Sequence, residues 1–541
     1  MCYLPFILCC VFLGALPLAA SNPVPDMPQA ATVSINADVQ LRRIPSAMYG
    51  TNVEWIWDSY GLWNEAARQV NPTILKLTKD IGVTVIRFPG GQFADFYHWK
   101  DGVGPRAQRP PALHHLASGD KSRPNFGTDE ALAFAAEVGA ELLITVNAGT
   151  GTAQEAADWV RYVNARRLRV RYWEVGNELY INDGSVDSRA ITVDPQTYAR
   201  RFLEFAKAMR AVDPRIKIGA IGGKNFGRYN VVSYPDWNRT VLTIAGSQID
   251  FLAVHNSYAP VLVDDSMDAR TVYRAMFAAP ALLASNLASI AQEIATYAPA
   301  KAATLPIAVT EWGPFFQGST AGKFVDHTKT LGSAIYAASV FKTFLESSAT
   351  QMANFHTLHD LSIMGWIGNT DGRFPPDPKW TPTPRYNAFR LFRRHFGETL
   401  VQTSCSSPSF DTPAVGWVDA VPQVPYLDCL ASLSADGKSL YLIAINKSFD
   451  NSMDTDIQIA GFVPTASATT WTLTGDAIDA HNGTVPLQLP GVTWARQTED
   501  WVNPGFSSGT VSFTGATSPA GQRFTYRFPP RSVTSLQFTR K

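Results

Sequence analysis

Between residues 48 and 358 the chain repeats one alternation eight times: a short, nearly continuous apolar run, then a longer stretch with helical spacing. The runs are Met48–Glu54, Val83–Phe88, Leu142–Asn147, Tyr172–Glu178, Ile216–Ile221, Phe251–Tyr258, Ile307–Glu311 and Met352–Leu358. A strand that is apolar on both faces must be covered on both sides, as parallel strands flanked by helices are. Helical patterns fall between the runs at Pro72–Asp80, Asp129–Val138, Ala153–Asn164, Pro195–Val212, Leu282–Tyr297 and Lys329–Ser347. Eight such repeats predict an α/β fold, a closed (β/α)8 TIM barrel.

Outside the barrel the pattern changes. After about residue 400 the helical period vanishes, and strand-like runs at Ser439–Asn446, Thr469–Thr474, Arg523–Phe528 and Val533–Thr539 are separated by Gly, Pro, Asn and Asp. This predicts a C-terminal all-β sandwich. Thr32–Val39 alternates strictly, with Val33, Ile35, Ala37 and Val39 on one face, so it reads as an N-terminal strand joining that sandwich. The expected division is a signal peptide at 1–21, the N-terminal strand at 30–44, the barrel at 45–398 and the sandwich at 399–541.

Composition restricts partners and address. Lys plus Arg (46) balance Asp plus Glu (46), so no basic surface points to nucleic acid. The uncharged run Tyr3 to Ala20, with small residues Ala19, Ala20 and Ser21 at its end, reads as a secretory leader and predicts an extracellular protein. No other segment reads as a membrane span, so no membrane association is expected once the leader is removed. Removing the leader leaves Cys405 and Cys429, a disulfide candidate in an oxidising compartment. Sequons at Asn238, Asn446 and Asn482 are candidate glycosylation sites. A homo-oligomer is compatible with the sequence.

Barrel active sites form at the carboxyl ends of the strands. Reading those ends gives Glu54, Arg87, Asn147, Asn177 with Glu178, His255 with Tyr258, Glu311 and His356. Carboxylates at buried strand ends are costly unless they serve a purpose. A pair of them suits glycoside hydrolysis, in which one carboxyl protonates the leaving oxygen and the other attacks the anomeric carbon. Arg87 cannot deprotonate and would keep a neighbouring carboxylate ionised. The amide of Asn177 could hold a sugar hydroxyl, and Tyr258 could donate to a carboxylate.

The pairing of Trp-Glu-Val-Gly-Asn-Glu (173–178) with Thr-Glu-Trp-Gly (310–313) resembles the clan A glycoside hydrolases. The blocks Arg87–Asp95, Tyr97–Pro105, Val146–Ala153, Pro384–Phe392 and Phe528–Leu536 are similar to the family 51 α-L-arabinofuranosidases. The resemblance runs over roughly residues 45 to 540 and implies Glu178 as acid/base and Glu311 as nucleophile of a retaining mechanism. It implies Arg87, Asn177 and Tyr258 as their supports and Glu54 as a ligand of furanose hydroxyls. Gly90 and Gly91 would let the backbone approach the sugar. Gln92 departs from the family pattern, and the surroundings of His255, Tyr258 and Glu311 match it only loosely, so the sugar is less well specified than the reaction.

The expected activity is removal of terminal α-L-arabinofuranosyl units from hemicellulose or pectin, with carboxyls ~5–5.5 Å apart. Rival readings are a clan relative acting on β-xyloside, β-galactofuranoside or β-glucan, and a non-catalytic carbohydrate-binding barrel. No cofactor is implied. His356 and His359 with Asp360 invite a metal, but two histidines three apart on a strand face opposite sides. Trp99, Trp312, Phe315 and Trp366 are candidate stacking walls for sugar rings.

Overall fold

The computed structural model describes residues 29–541 apart from 115, 117–118, 167–168, 224–232, 263–264, 318–322, 360–363, 370–379 and 483–509. The expected leader at 1–21, and Asp360, lie outside the described residues.

Eight parallel strands close into a barrel in chain order. They are Gly50–Asn52, Val85–Phe88, Glu141–Val146, Tyr172–Val175, Lys217–Gly222, Phe251–Leu262, Ile307–Gln317 and Thr350–Phe355, referred to below as strands one to eight. Strand eight returns to strand one through Asn354–Gly50 and Phe355–Thr51. Every predicted run overlaps one of these strands because each is apolar enough to be buried between the barrel interior and the helices.

The helices begin and end where local chemistry dictates. Asn71 accepts from the amides of Thr73 and Ile74 and Pro72 follows it, starting Pro72–Ile81. Asp194 caps Pro195–Val212 through the Thr197 amide. The helix preceding strand seven is longer than its pattern suggested, Ala269–Tyr297, and carries Pro280 within it. By length and apolarity it could cross a bilayer, contrary to the sequence reading, yet more than half of its most apolar window is buried inside the protein. Val272, Tyr273, Met276, Phe277 and Leu283 all contribute to the main core.

The remaining large sheet has nine strands, with Gln29–Arg43 inserted between Thr399–Ser406 and Met453–Ala460. The N-terminal strand runs antiparallel to the first neighbour and parallel to the second. Val33, Ile35 and Ala37 enter a separate apolar core with Leu440, Leu442 and Ile457. Val39, expected on the same face, is 39% exposed. Asn36 pairs with Gln402 but Gln40 with Val401, so an irregularity breaks the alternation ahead of Val39.

One further expectation is corrected by the sheet. Cys405 and Cys429 are free thiols, not a disulfide. They lie on neighbouring strands, diagonal in the register continued from Val401–Ala431, and their thiols interact with each other without a covalent bond. The sequon asparagines are used internally. Asn446 is fully buried and donates to the carbonyls of Asn451, Phe528 and Pro529. Asn238 donates to Glu293 at 2.7 Å and accepts from the Gly223 amide. Asn482 donates to the carbonyl of Pro382.

Candidate active site

The charged centre of the barrel is organised by Arg87, at the end of strand two and fully buried. Its guanidinium donates from Nε to Glu174 Oε2 at 2.7 Å, from Nη1 to Glu311 Oε2 at 3.1 Å and from Nη2 to Asn177 Oδ1 at 2.6 Å. A planar fork can hold three partners in fixed directions, which an ammonium cannot. Burial alone would depress its pKa, but Glu174 and Glu311 outweigh that and raise it.

Glu174 is the buried counter-ion of this arrangement, fully enclosed and accepting from Thr145 Oγ1 at 2.8 Å and Thr310 Oγ1 at 2.9 Å. Glu178 and Glu311 differ from it in access: their side chains are 16% and 10% exposed. Only carboxylates that open toward solvent can meet a substrate, so these two are the reactive candidates.

His255, from strand six, stands between them. Its Nδ1 lies 2.9 Å from Glu178 Oε1 and 3.3 Å from Glu311 Oε2. Those two oxygens are therefore at most about 6.2 Å apart, the sum of the two contacts. An imidazole nitrogen that faces two carboxylates carries its proton there. Burial disfavours the imidazolium, yet Glu311 and Glu178 raise the pKa of His255 above the usual imidazole value.

Glu311 also accepts from the Tyr258 hydroxyl at 2.9 Å and has His356 Nδ1 3.5 Å from its Oε1. Burial would raise its pKa, but His255, His356, Arg87 and Tyr258 together bring it from 4.5 down to about 2. Glu311 is thus an ionised, oriented carboxylate across the neutral range. Tyr258, pushed well above its ordinary pKa by burial and by Glu311, keeps its proton and donates it.

The rest of the rim comes from the loops after strands one, two and eight. His356 Nε2 lies 3.8 Å from Glu54 Oε1, joining Glu54 to the cluster. Asn52, which the sequence reading passed over, donates to the Thr310 carbonyl at 3.2 Å and lies 3.3 Å from His356 Nδ1. Gly90 and Gly91 both have positive φ, and a β-carbon on Gly91 would stand 2.9 Å from Glu54 Oε1. The space that glycine leaves is therefore occupied by Glu54 itself. Gln92 is half-buried at the start of the short helix that follows. The Asn177 side-chain nitrogen is buried and has no protein partner, so it is available to a ligand.

Several expected residues are elsewhere. Trp312 points away from the site: it is 2% exposed and packs against Phe341, Phe344 and Phe355. Residues alternate along a strand, so the neighbour of an inward-facing Glu311 must face the helices. Trp99 stacks on Trp159, and Trp366 stacks on Phe355, so both are core residues. Asn147 serves its own loop, accepting from the amides of Thr150 and Gly151. His359 turns away from His356 to the Ser59 carbonyl at 2.6 Å. The described residues contain no group of three His, Cys, Asp or Glu side chains placed to share a metal ion.

Two carboxylates of unequal character within reach of one sugar ring are what glycosidic bond cleavage requires, and relatives of the chain agree. An alpha-L-arabinofuranosidase 1 domain matches residues 77–232, and an alpha-L-arabinofuranosidase C-terminal domain matches 310–488. The alpha-L-arabinofuranosidase of Thermotoga maritima, solved with arabinose, superposes with a TM-score of 0.75 at 27% identity over 94% of this chain and 99% of that one. The family 51 enzyme of Thermotoga petrophila gives the same TM-score and identity, over 94% of this chain and 100% of its own. The chain belongs to glycoside hydrolase family 51. Among its sequence relatives is a probable alpha-L-arabinofuranosidase C of Aspergillus terreus, 28% identical over 78% of this chain and 84% of that protein. Another is the intracellular exo-alpha-(1->5)-L-arabinofuranosidase of Halalkalibacterium halodurans, 24% identical over 81% and 88%. This family 51 glycoside hydrolase accordingly carries its charged cluster at the carboxyl end of the barrel.

Proposed function

We propose that this glycoside hydrolase removes terminal α-L-arabinofuranosyl units from hemicellulose or pectin side chains with retention of configuration. The observation that carries the reading is the His255 bridge, which keeps one oxygen of each carboxylate within about 6.2 Å of the other. Retaining enzymes hold their carboxyls ~5–5.5 Å apart, whereas inverting ones leave ~6.5–9.5 Å for a water.

Glu311, ionised and aligned by Arg87 and Tyr258, attacks the anomeric carbon. The C–O bond to the aglycone breaks, and its electron pair takes the proton supplied by Glu178. Water then enters, gives a proton back to Glu178, and its oxygen displaces Glu311. Asn177 and Glu54 support the furanose hydroxyls. The names of the relatives favour arabinofuranose as the glycone.

The same proposal places the enzyme outside the cell, on the strength of the apolar run before Ser21. The family also includes an enzyme named as intracellular. Sequencing the amino terminus of the protein in culture medium tests export. The activity is tested with a panel of 4-nitrophenyl glycosides, using Glu311→Gln as the blank. Release from the α-L-arabinofuranoside, absent in the blank, is the expected result. Release only from a β-xyloside, β-galactofuranoside or β-glucoside would overturn the glycone.

A further inference from the structure

We propose that Asp95 is the positioning residue for Glu178: by holding the peptide that carries Glu178, it governs protonation of the leaving oxygen. The inference rests on the acid/base reading of Glu178 given above.

Asp95 is fully buried. It lies on the short helix Gln92–Phe96 that follows strand two, and its carboxylate is spent entirely on backbone donors of the next two loops. Oδ1 accepts from the amides of Ala148 and Gly149, each at 2.9 Å, beyond strand three. Oδ2 accepts from the amide of Asn177 at 2.7 Å, beyond strand four. Its own carbonyl accepts from Thr150 N at 3.2 Å and Thr150 Oγ1 at 2.9 Å. One residue therefore ties together the loops after strands two, three and four.

The consequence falls on Glu178. Its φ is +47°, in the left-handed region. A residue with a β-carbon is disfavoured there by roughly 1–2 kcal/mol and stays only where its surroundings hold it. Asn177 is gripped at both ends, its amide by Asp95 and its side-chain oxygen by Arg87, which also holds Glu311. A continuous line from Asp95 through Asn177 and Arg87 to Glu311 thus sets the two reactive carboxylates relative to each other.

The pin is tight and chemically specific. A β-carbon on Gly149 would lie 2.8 Å from the Asp95 Cβ and 2.9 Å from its carbonyl oxygen. Burial pushes Asp95 up to about 7, opposed by the three backbone amides and by the Arg201 cation, and Tyr198 feels the Asp95 charge in turn. An asparagine in place of Asp95 could accept on one side only, because its NH2 would meet an amide donor on the other.

The test is a comparison of leaving groups. Wild type, Asp95→Asn, Asp95→Ala, Gly149→Ala and Glu178→Ala are assayed on an α-1,5-arabino-oligosaccharide and on 2,4-dinitrophenyl α-L-arabinofuranoside. A sugar alkoxide needs the proton and dinitrophenolate does not. For Asp95→Asn the oligosaccharide kcat should fall by about 10–100-fold, the scale of a misplaced catalytic group, with little change in KM. On the dinitrophenyl substrate kcat/KM, which reports formation of the glycosyl-enzyme and not its hydrolysis by water, should fall by no more than about threefold, and the same ratio is compared on the oligosaccharide. Gly149→Ala displaces Asp95 without changing it and should show the same split, which keeps the test open if the Asp95 variants fold poorly. Equal losses on both substrates, or wild-type rates on both, overturn the inference. Glu178→Ala is the control: if it too shows no leaving-group dependence, the acid/base reading fails and carries this inference down with it.

Discussion

His255 Nδ1 stands 2.9 Å from Glu178 Oε1, closer than any other charged nitrogen is to that carboxylate among the described ion pairs. The same nitrogen reaches Glu311, so a single ring links the ionised carboxylate to the carboxyl proposed to deliver the proton.

Loss of the ring's proton should therefore cost activity on the alkaline side. His255 titrates above the ordinary imidazole value because Glu311 and Glu178 outweigh its burial; Arg87 opposes them. As pH rises through that point the ring becomes neutral and the bridge loses charge. The expected outcome is an alkaline limb in kcat/KM that is altered in His255→Gln, with kcat reduced about 10²-fold or more, as for loss of a group managing a catalytic proton. An unchanged pH profile in the variant would remove His255 from this role.

Glu311→Gln should abolish turnover, by at least about 10⁴-fold, the order seen when a covalent nucleophile is lost. Glu178→Ala should regain part of its activity with small anions or good leaving groups. Because Glu311 is held near 2, its protonation should not set the acid limb of the wild-type profile above about pH 3. An acid limb that moved with substitutions around Glu311 alone would contradict this.

How far these roles were legible before the fold is uneven. The eight strands stood out because barrel strands are apolar on both faces, and Glu178 and Glu311 stood out because each closes such a run. Glu174 broke the rule just as visibly, a charge in the middle of an apolar run, but its meaning depends on Arg87, 87 residues away. Asp95 gave no signal, since its partners are backbone amides of two distant loops. Trp312 reads in the sequence as a loop position, but strand seven continues to Gln317 and turns it into the core. Val39 followed a perfect alternation that a bulge interrupts, and bulges leave little trace in a period-two pattern.

Trp312→Ala should behave as a core deletion. With its ring enclosed by Phe341, Phe344 and Phe355, a loss of about 3–5 kcal/mol of stability is expected. KM should stay near wild type. Denaturant unfolding beside steady-state kinetics checks both, and a raised KM at unchanged stability would return Trp312 to the sugar site.

Asn446 should remain without glycan even in a glycosylating host, because its amide serves three backbone carbonyls inside the sandwich. Asn446→Ala should destabilise by about 1–3 kcal/mol through the acceptors left unpaired. Peptide mapping and thermal unfolding read the two outcomes, and a glycan on Asn446 in active, folded enzyme would contradict the buried placement.

His395 stacks on Trp471, and burial together with Arg390 and Arg394 lowers its pKa to about 4. The unfolded chain therefore binds the extra proton between roughly pH 6.5 and 4 while the native state does not, so stability falls as pH drops through that window. His395→Phe should flatten this part of the stability profile, and unfolding midpoints measured across it would show an unchanged slope if His395 were not responsible.

The most direct test is to trap the covalent intermediate. Glu178→Ala, in which the second step is slowed, is mixed with 2,4-dinitrophenyl α-L-arabinofuranoside, quenched, digested and mapped by mass spectrometry. A pentosyl increment on the peptide containing Glu311, absent from the Glu311→Gln double variant, is the expected result. Release of dinitrophenol with the sugar on a different residue, or with no labelled peptide and a product of inverted configuration, would contradict it.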